Sequence, residues 1–231
     1  MRIHMAKIIA FAFGGLLVFV WLAGCSSQTQ STQGSLVDVT VKEIALMPFL
    51  AGQMASPDAP IATVSTPRNA ETAIIENVNL PDGTALVMNR IVNTELHIRF
   101  AERLIPPHLV SEAYQPLLMD PELDTPRKRA IRLGSALKAN LVMVGNIWWY
   151  RERGALTQMP DNPASVGFEL TLINVETGAR LWWGRFEGTQ EALTSDLLGG
   201  VERLNMGLRW LSAKELARYG VKSVLGTLPL K

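Results

Sequence analysis

The sequence predicts a single α+β domain of two layers, in which a mixed sheet ends in a three-stranded antiparallel meander and helices pack on one face. Residues 141–151, 166–175 and 181–187 are rich in β-branched and aromatic side chains, which favours strands. Residues 85–104 repeat apolar side chains at the spacing of a helix. Residues 41–231 are enough for one domain with its own core.

The first strand is predicted over residues 41–50, where aliphatic side chains dominate until Pro48. Residues 51–83 form a Pro-rich insertion without a sustained period. A loop of this length is uncommon inside a compact domain and is usually functional or disordered.

The central part of the chain predicts two helices. The first covers residues 85–104, because one stripe recurs every four residues: Met88, Val92, Leu96, Phe100 and Leu104. Pro106 and Pro107 end it. Residues 109–113 favour a short strand. The second helix runs from Pro126 to Lys138, since Thr125 supplies an N-cap oxygen and Pro suits the first helical position.

The last part of the chain predicts a hairpin followed by helices. Gly178 suits the positive φ of a tight hairpin turn. A helix is predicted where apolar residues return to helical spacing, at Val201, Leu204, Leu208 and Leu211. Ser212 and Glu215 form a capping box that opens one last helix, and Gly220 is predicted to end it.

The N-terminus has the layout of an export signal. Arg2 and Lys7 precede an uncharged apolar run over residues 8–23. That run is about 16 residues, shorter than the roughly 20 that a membrane-spanning helix needs. Cleavage of residues 1–24 is therefore predicted.

The four residues Leu22, Ala23, Gly24 and Cys25 resemble the bacterial lipobox. The resemblance implies that the thiol of Cys25 receives a diacylglycerol, that the chain is cut before it, and that the new amine is acylated. No other cofactor is expected. Ser26 follows the cysteine and implies the periplasmic face of the outer membrane. A buried core cysteine and an ordinary signal peptide are the alternatives.

Residues 25–40 are predicted to be the lipidated cysteine and a flexible tether, because Ser, Thr, Gln and Gly cannot bury enough surface to offset the entropy of ordering. Cleavage leaves 20 basic and 21 acidic side chains, a net charge of −1. A near-neutral surface argues against a nucleic-acid partner. Only His97 and His108 remain after cleavage, and no Gly-x-Ser-x-Gly elbow occurs, so neither a metal site nor a catalytic site is predicted.

Two tryptophan doublets occur in the predicted meander. Adjacent strand residues point to opposite faces, so each doublet is expected to send one ring into the core and the other outward. Trp182 and Phe186 are predicted to point inward. The outward set forms a candidate partner-binding surface: Trp149, Arg151, Trp183 and Arg185. Trp with Arg is typical of interface hot spots, and the same pair can stack on sugar rings. The Pro-rich insertion could instead cover these rings.

Two stretches of the predicted meander carry a family resemblance: LKANLVMVGNIWWY and LTLINVETGARLWWGRF. They resemble the periplasmic domain shared by the curli-secretion lipoprotein, lipoprotein activators of penicillin-binding proteins, flagellar-assembly lipoproteins and the amino-terminal domain of the Tol-system periplasmic protein. Asn140 and Asn174 stand where that family commonly has Asp, and residues 51–83 have no counterpart in it.

This resemblance implies a non-enzymatic outer-membrane lipoprotein whose periplasmic domain binds a protein partner in envelope assembly or secretion. The lipid anchor would be its contact with the membrane. Two alternatives remain open: a peptidoglycan- or glycan-binding module or hydrolase, and a subunit of a homo-oligomeric envelope ring.

Overall fold

The computed structural model describes residues 28–33, 39–54, 74–75, 80–154, 163–189 and 211–230. The predicted signal segment, Cys25 and most of the Pro-rich insertion lie outside these residues. So does most of the helix predicted from Val201.

The described strands and helices follow one another along the chain. They are β1 (Gln28–Gln33), β2 (Ile44–Leu46), β3 (Leu50–Ala51), β4 (Gln53–Met54), β5 (Ile74–Ile75), α1 (Thr84–Phe100), α2 (Pro107–Tyr114), α3 (Pro126–Leu137), β6 (Leu141–Arg151), β7 (Ser165–Asn174), β8 (Arg180–Thr189) and α4 (Ala213–Gly226). Short 3-10 turns cover Ala101–Arg103 and Gln115–Met119.

One mixed sheet organises the domain, with strand order β1-β8-β7-β6-β2. The strands β6, β7 and β8 form the predicted antiparallel meander, and β1 pairs antiparallel with β8. Both β2 and β3 pair parallel with β6, on either side of Pro48. The predicted α+β class, with a mixed sheet ending in a meander, is confirmed.

Helices pack against the sheet in two places. Helices α1 and α4 cover one face, where they enclose a core that includes the fully buried Phe168, Trp182 and Phe186. Helices α2 and α3 pack on the opposite face, around Val142 and Val144 of β6. The predicted one-sided arrangement thus describes α1 and α4, while α2 and α3 cover part of the other face.

Helix α1 follows the predicted four-residue stripe. Met88, Val92, Leu96 and Phe100 are all buried against the sheet. The helix ends earlier than residue 104, because Ala101 adopts a positive φ of 47° and the chain continues as a 3-10 turn.

The short strand predicted over residues 109–113 is wrong, since these residues belong to α2. Pro107 stands in the first turn of the helix, where its missing N–H removes no helical hydrogen bond. Val110 and Tyr114 lie four residues apart and are both buried in the second core. A four-residue spacing places two side chains on one face of a helix and also on one face of a strand, so it does not separate the two in the sequence.

Asn140 fastens the start of the domain to the sheet. Its Oδ1 accepts hydrogen bonds from the N–H groups of Lys42 and Glu43, both at 3.0 Å. Its Nδ2 donates to the carbonyl of Thr40 at 2.7 Å. An ionised aspartate has no N–H and could not make the last bond, which gives a physical reason for the Asn that departs from the family pattern.

Helix α4 begins as predicted and ends later. The side chain of Ser212 accepts from the N–H of Glu215, and the Glu215 side chain accepts from the N–H of Ser212, which confirms the capping box. The predicted end at Gly220 is wrong, because the helix continues to Gly226. Gly220 instead allows close packing, as a Cβ there would lie 2.5 Å from the ring of Phe186.

Strand β1 lies within the stretch predicted to be a flexible tether. Gln28–Gln33 pair along β8, from Glu187 to Trp182. The tether prediction is therefore wrong for these six residues. It considered only side-chain burial, whereas the backbone groups of an edge strand can pair with any sequence that lacks Pro.

Candidate partner-binding face

The outward set predicted from the sequence shares one face of the meander. We call the face of β6, β7 and β8 that is turned away from α1 and α4 the outer face. Trp149 pairs with Gly167 and Arg151 with Ser165 across β6 and β7. Trp183 and Arg185 pair with Thr171 and Glu169 across β7 and β8. These registers place Trp149, Arg151, Trp183 and Arg185 on the outer face, as predicted.

A β-bulge adds Trp148 to this face. Ile147 pairs with Phe168 and Trp149 with Gly167, so Trp148 is the extra residue. One ring of this doublet is buried and the other is exposed, as predicted. Trp148 is nevertheless buried on the outer face and not in the core beneath α1 and α4, because the bulge shifts the alternation by one residue. The indole of Trp148 and the Cβ of Trp149 lie over Gly167, where an added Cβ would be 2.6 Å from Trp148 Nε1 and 3.2 Å from Trp149 Cβ.

Guanidinium groups lie over both indoles. The Cζ atom of Arg185 is 4.5 Å from the centroid of the Trp148 ring, and that of Arg151 is 5.5 Å from the centroid of the Trp149 ring. Arg185 also forms an ion pair of 2.5 Å with Glu187. Cation–π contacts of this kind are worth about 0.5–1 kcal/mol at exposed sites, and they restrict the positions of both partners.

A buried carboxyl group lies beneath the outer face. Glu169 is only 6% exposed, and its Oε2 accepts a hydrogen bond from Trp183 Nε1 at 3.2 Å. Burial raises the pKa of Glu169 above its ordinary value, while the Trp183 hydrogen bond and the charges of Arg185 and Arg180 act in the opposite direction. Desolvation is the larger effect, because it penalises the ionised form directly.

Asn146 is a second buried polar group beneath this face. It pairs in register with Glu169 and is fully buried. Neither its Oδ1 nor its Nδ2 has a hydrogen-bond partner in the described structure. Neither Asn146 nor the burial of Glu169 was predicted from the sequence. The available signal was a lone amide within the apolar run of β6, since a buried amide requires partners.

Exposure distinguishes the four tryptophans of the meander. Trp148 and Trp182 are buried, Trp183 is half-buried, and Trp149 is 47% exposed. Trp149 Nε1 donates to Ser165 Oγ at 2.6 Å, so the exposed ring is held in one orientation. A fixed indole beside the guanidinium of Arg151 can cover an apolar group of a partner or stack on a planar or cyclic one.

The two histidines left after the predicted cleavage lie on different helices. His97 is exposed on α1 and His108 is exposed on α2. Within the described ranges, no three side chains of His, Cys, Asp or Glu come together as metal ligands could. None of the described helices has the length and apolarity needed to cross a membrane.

Comparison with solved structures finds similar folds at low sequence identity. A variant PelC dodecamer from Paraburkholderia phytofirmans is 13% identical, with a TM-score of 0.50, and the match covers 89% of this chain and 99% of PelC. The LpoB C-terminal domain from Salmonella enterica is 18% identical over 68% of this chain and 87% of that domain, with a TM-score of 0.37.

Lipoprotein GNA1162 from Neisseria meningitidis is another similar structure. It is 14% identical over 68% of this chain and 90% of that protein, with a TM-score of 0.40. The sequence matches no protein-family model and no curated relative. The chain therefore resembles PelC in its fold.

Proposed function

We propose that this chain is a non-enzymatic outer-membrane lipoprotein whose periplasmic domain binds a protein partner in envelope assembly or secretion. A diacylglycerol and an N-acyl chain on Cys25 would attach it to the membrane. The outer face, with Trp149, Arg151, Trp183 and Arg185, would bind the partner. The lipobox resemblance and the fold support the role as an anchored lipoprotein. The geometry of the outer face supports the partner-binding surface.

The main observation in support of a partner-binding surface is the fixed, half-exposed ring of Trp149. Its indole N–H donates a hydrogen bond to Ser165 Oγ, and the guanidinium of Arg151 lies over its ring. A large side chain that is already ordered loses little conformational freedom on binding, so more of its burial contributes to affinity. Exposed aromatic rings that are not fixed lack this advantage.

The lipid anchor has a direct test. Two or more acyl chains hold a folded domain stably at a membrane, whereas one chain gives only marginal binding. Mass spectrometry of the exported chain should find an N-terminal cysteine at position 25 that carries both modifications. An unmodified Cys25 thiol, or a chain that still begins at Met1, would exclude this anchor.

The partner surface is tested by copurification from solubilised envelopes. The full-length chain with Trp149→Ala and Arg151→Ala should lose a partner that the unchanged chain retains. Met119→Ala is the matched control, because Met119 is 87% exposed and lies on the 3-10 turn before α3. If the double variant and the control retain the same proteins, the outer face does not bind the partner.

Glycan binding is the second candidate, because the exposed indole of Trp149 lies beside the guanidinium of Arg151. An indole can stack on a sugar ring while a guanidinium donates hydrogen bonds to the sugar hydroxyls. Sedimentation of the chain with sacculi tests this candidate, and Trp149→Ala should abolish binding if it is correct. Assembly into a homo-oligomeric ring is tested by the mass of the particle in solution.

A further inference from the structure

The side of the domain formed by α1 and α4, opposite the outer face, carries exposed basic and apolar side chains. We propose that the exposed sides of α1 and α4 lie against an anionic phospholipid surface, which leaves the outer face turned away from the membrane. This inference rests on the lipid anchor of the proposed function.

Helix α4 presents a line of cations to solvent. Lys214, Arg218 and Lys222 are all exposed and recur every four residues, so they lie on one side of the helix. Arg90 of α1 lines a small cleft between the two helices together with Lys214, Arg218 and one acidic side chain, Glu95, and that cleft has a volume of about 120 Å³. Four cations therefore share one side of the domain.

Few acidic groups oppose these charges. Lys222 is 3.8 Å from Glu95 of α1, a long ion pair, and the described residues give Lys214 and Arg218 no ion-pair partner. Glu215 is engaged at the start of its own helix, where it accepts from the N–H of Ser212 at 3.0 Å. The charge predicted for the mature chain is −1, so this positive surface is a local feature.

Helix α1 adds apolar groups to the same side. Its exposed line also has a four-residue spacing, through Leu86, Arg90, Thr94 and Ile98. Leu86 is 69% exposed and Ile98 is 72% exposed. Apolar side chains at both ends of a cationic surface suit the boundary between headgroups and acyl chains, where both kinds of group find partners.

The path of the chain places the proposed anchor beside α4. Strand β1 begins at Gln28, three residues after Cys25. Three extended residues span at most about 10 Å, which is the diameter of one helix. Thr29 Oγ1 lies 3.0 Å from Ser223 Oγ of α4, so β1 runs next to that helix. Acyl chains on Cys25 would thus leave the domain close to the line of cations.

Charge and chain path favour the same occupant. An anionic membrane attracts exposed Lys and Arg, and each such residue near the surface favours the bound orientation roughly fivefold. An acidic protein could also bind the cations, but it would not explain why the anchored end of the chain approaches α4. The membrane is therefore the partner that both observations support.

Single labels on the lipidated full-length chain test this orientation. The lipid would block the thiol of Cys25, so an introduced cysteine can be labelled alone. Gly226→Cys continues the line of α4, because Gly226 is exposed and nothing lies within 4 Å of its missing Cβ. Ala136→Cys, exposed on α3 at the opposite face of the sheet, is the matched control. A quencher attached to lipid headgroups reports which label is close to the membrane.

In vesicles of phosphatidylcholine with phosphatidylglycerol, the label at position 226 should be quenched and the label at position 136 should not. Phosphatidylcholine alone should give weak quenching at both positions. Changing Lys214, Arg218 and Lys222 to Glu should lower the ratio of docked to undocked domain at least about tenfold. Changing the three to Gln should lower it less. The Lys128→Glu, Arg132→Glu variant of α3 should behave like the unchanged chain, and circular dichroism verifies folding of each variant.

The possible failures can be told apart. A chain that does not float with vesicles has no lipid anchor, and both this orientation and the proposed anchor are then overturned. A chain that floats with equal quenching at positions 226 and 136 keeps its anchor but contradicts the orientation. Strong quenching at position 226 that persists without phosphatidylglycerol contradicts the role of the anionic lipid.

Discussion

Trp183 donates its indole N–H to the buried carboxyl group of Glu169, with 3.2 Å between Nε1 and Oε2. The bond links β8 to β7 directly beneath the outer face. Glu169 is only 6% exposed, so its surroundings disfavour the ionised carboxylate even though it accepts this hydrogen bond. A neutral group with the same acceptor oxygen would keep the hydrogen bond and avoid the burial of charge.

Glu169→Gln should therefore stabilise the domain at neutral pH. Burial raises the pKa of Glu169 in the folded state above its ordinary value of 4.5. The stability that this group contributes is complete below that value and is lost as pH rises through the folded pKa. The variant should gain a few tenths to about 1 kcal/mol at pH 7 and nothing near pH 4. Denaturant unfolding at both pH values measures the difference.

The control for this prediction is Glu187→Gln on the same face, since Glu187 is exposed and pairs with Arg185 at 2.5 Å. Its replacement should change stability by less than about 1 kcal/mol, because exposed ion pairs contribute little. A stability curve for Glu169→Gln that runs parallel to that of the unchanged chain from pH 4 to pH 7 would show that Glu169 does not titrate as argued.

Arg99 of α1 holds the C-terminal end of the chain. Its guanidinium donates to the carbonyls of Leu225, Leu228 and Leu230, including an Nε to oxygen distance of 3.0 Å to Leu230. Arg99→Ala should lower the free energy of unfolding by about 2–3 kcal/mol, since hydrogen bonds from a charged donor to several carbonyls are lost. Arg90→Ala, an exposed arginine on the same helix, should cost much less in the same measurement.

Arg99→Lys should recover only part of that loss. An ammonium group is compact and lacks the planar fork that reaches several carbonyls at once. Equal stability of the Lys variant and the unchanged chain would indicate that charge, and not the geometry of the guanidinium, matters at this position.

Two glycines of α4 should respond oppositely to the same change. At Gly220 an added Cβ would lie 2.5 Å from the ring of Phe186, so Gly220→Ala should cost about 1–3 kcal/mol by overpacking. At Gly226 nothing lies within 4 Å, and Gly226→Ala should be neutral or stabilise by up to about 1 kcal/mol. Thermal unfolding of both variants measures this. A stabilising Gly220→Ala would contradict the close packing of α4 on β8.

The meander could be predicted almost to the residue, because each strand shows its own composition and the turn at Gly178 shows the required glycine. Helix α2 could not be, since its 8 residues contain too few apolar positions to distinguish a helical period from the alternation of a strand. Gly220 was misread for a related reason. A glycine that ends a helix and one that admits a neighbouring ring look the same in sequence, and only the position of Phe186 separates them.

The outer face could be predicted in part. Strict alternation placed Trp149, Trp183 and Arg185 correctly, but it placed Trp148 on the wrong face because a bulge leaves no clear sign in the sequence. The partnering of Trp183 with Glu169, and the burial of Asn146, depend on cross-strand register. Register is set by the whole sheet, so these polar groups became visible only in the structure.

Site-specific photocrosslinking in intact cells tests most directly whether the outer face binds an envelope partner. A photoreactive phenylalanine analogue replaces Trp149 in the full-length chain, and the same analogue at Met119 serves as the exposed control. We expect one envelope protein to be crosslinked from position 149 and not from position 119. The yield of this crosslink should fall when Arg151 is changed to Ala. Crosslinks that are the same at both positions, or none from position 149, would contradict this account.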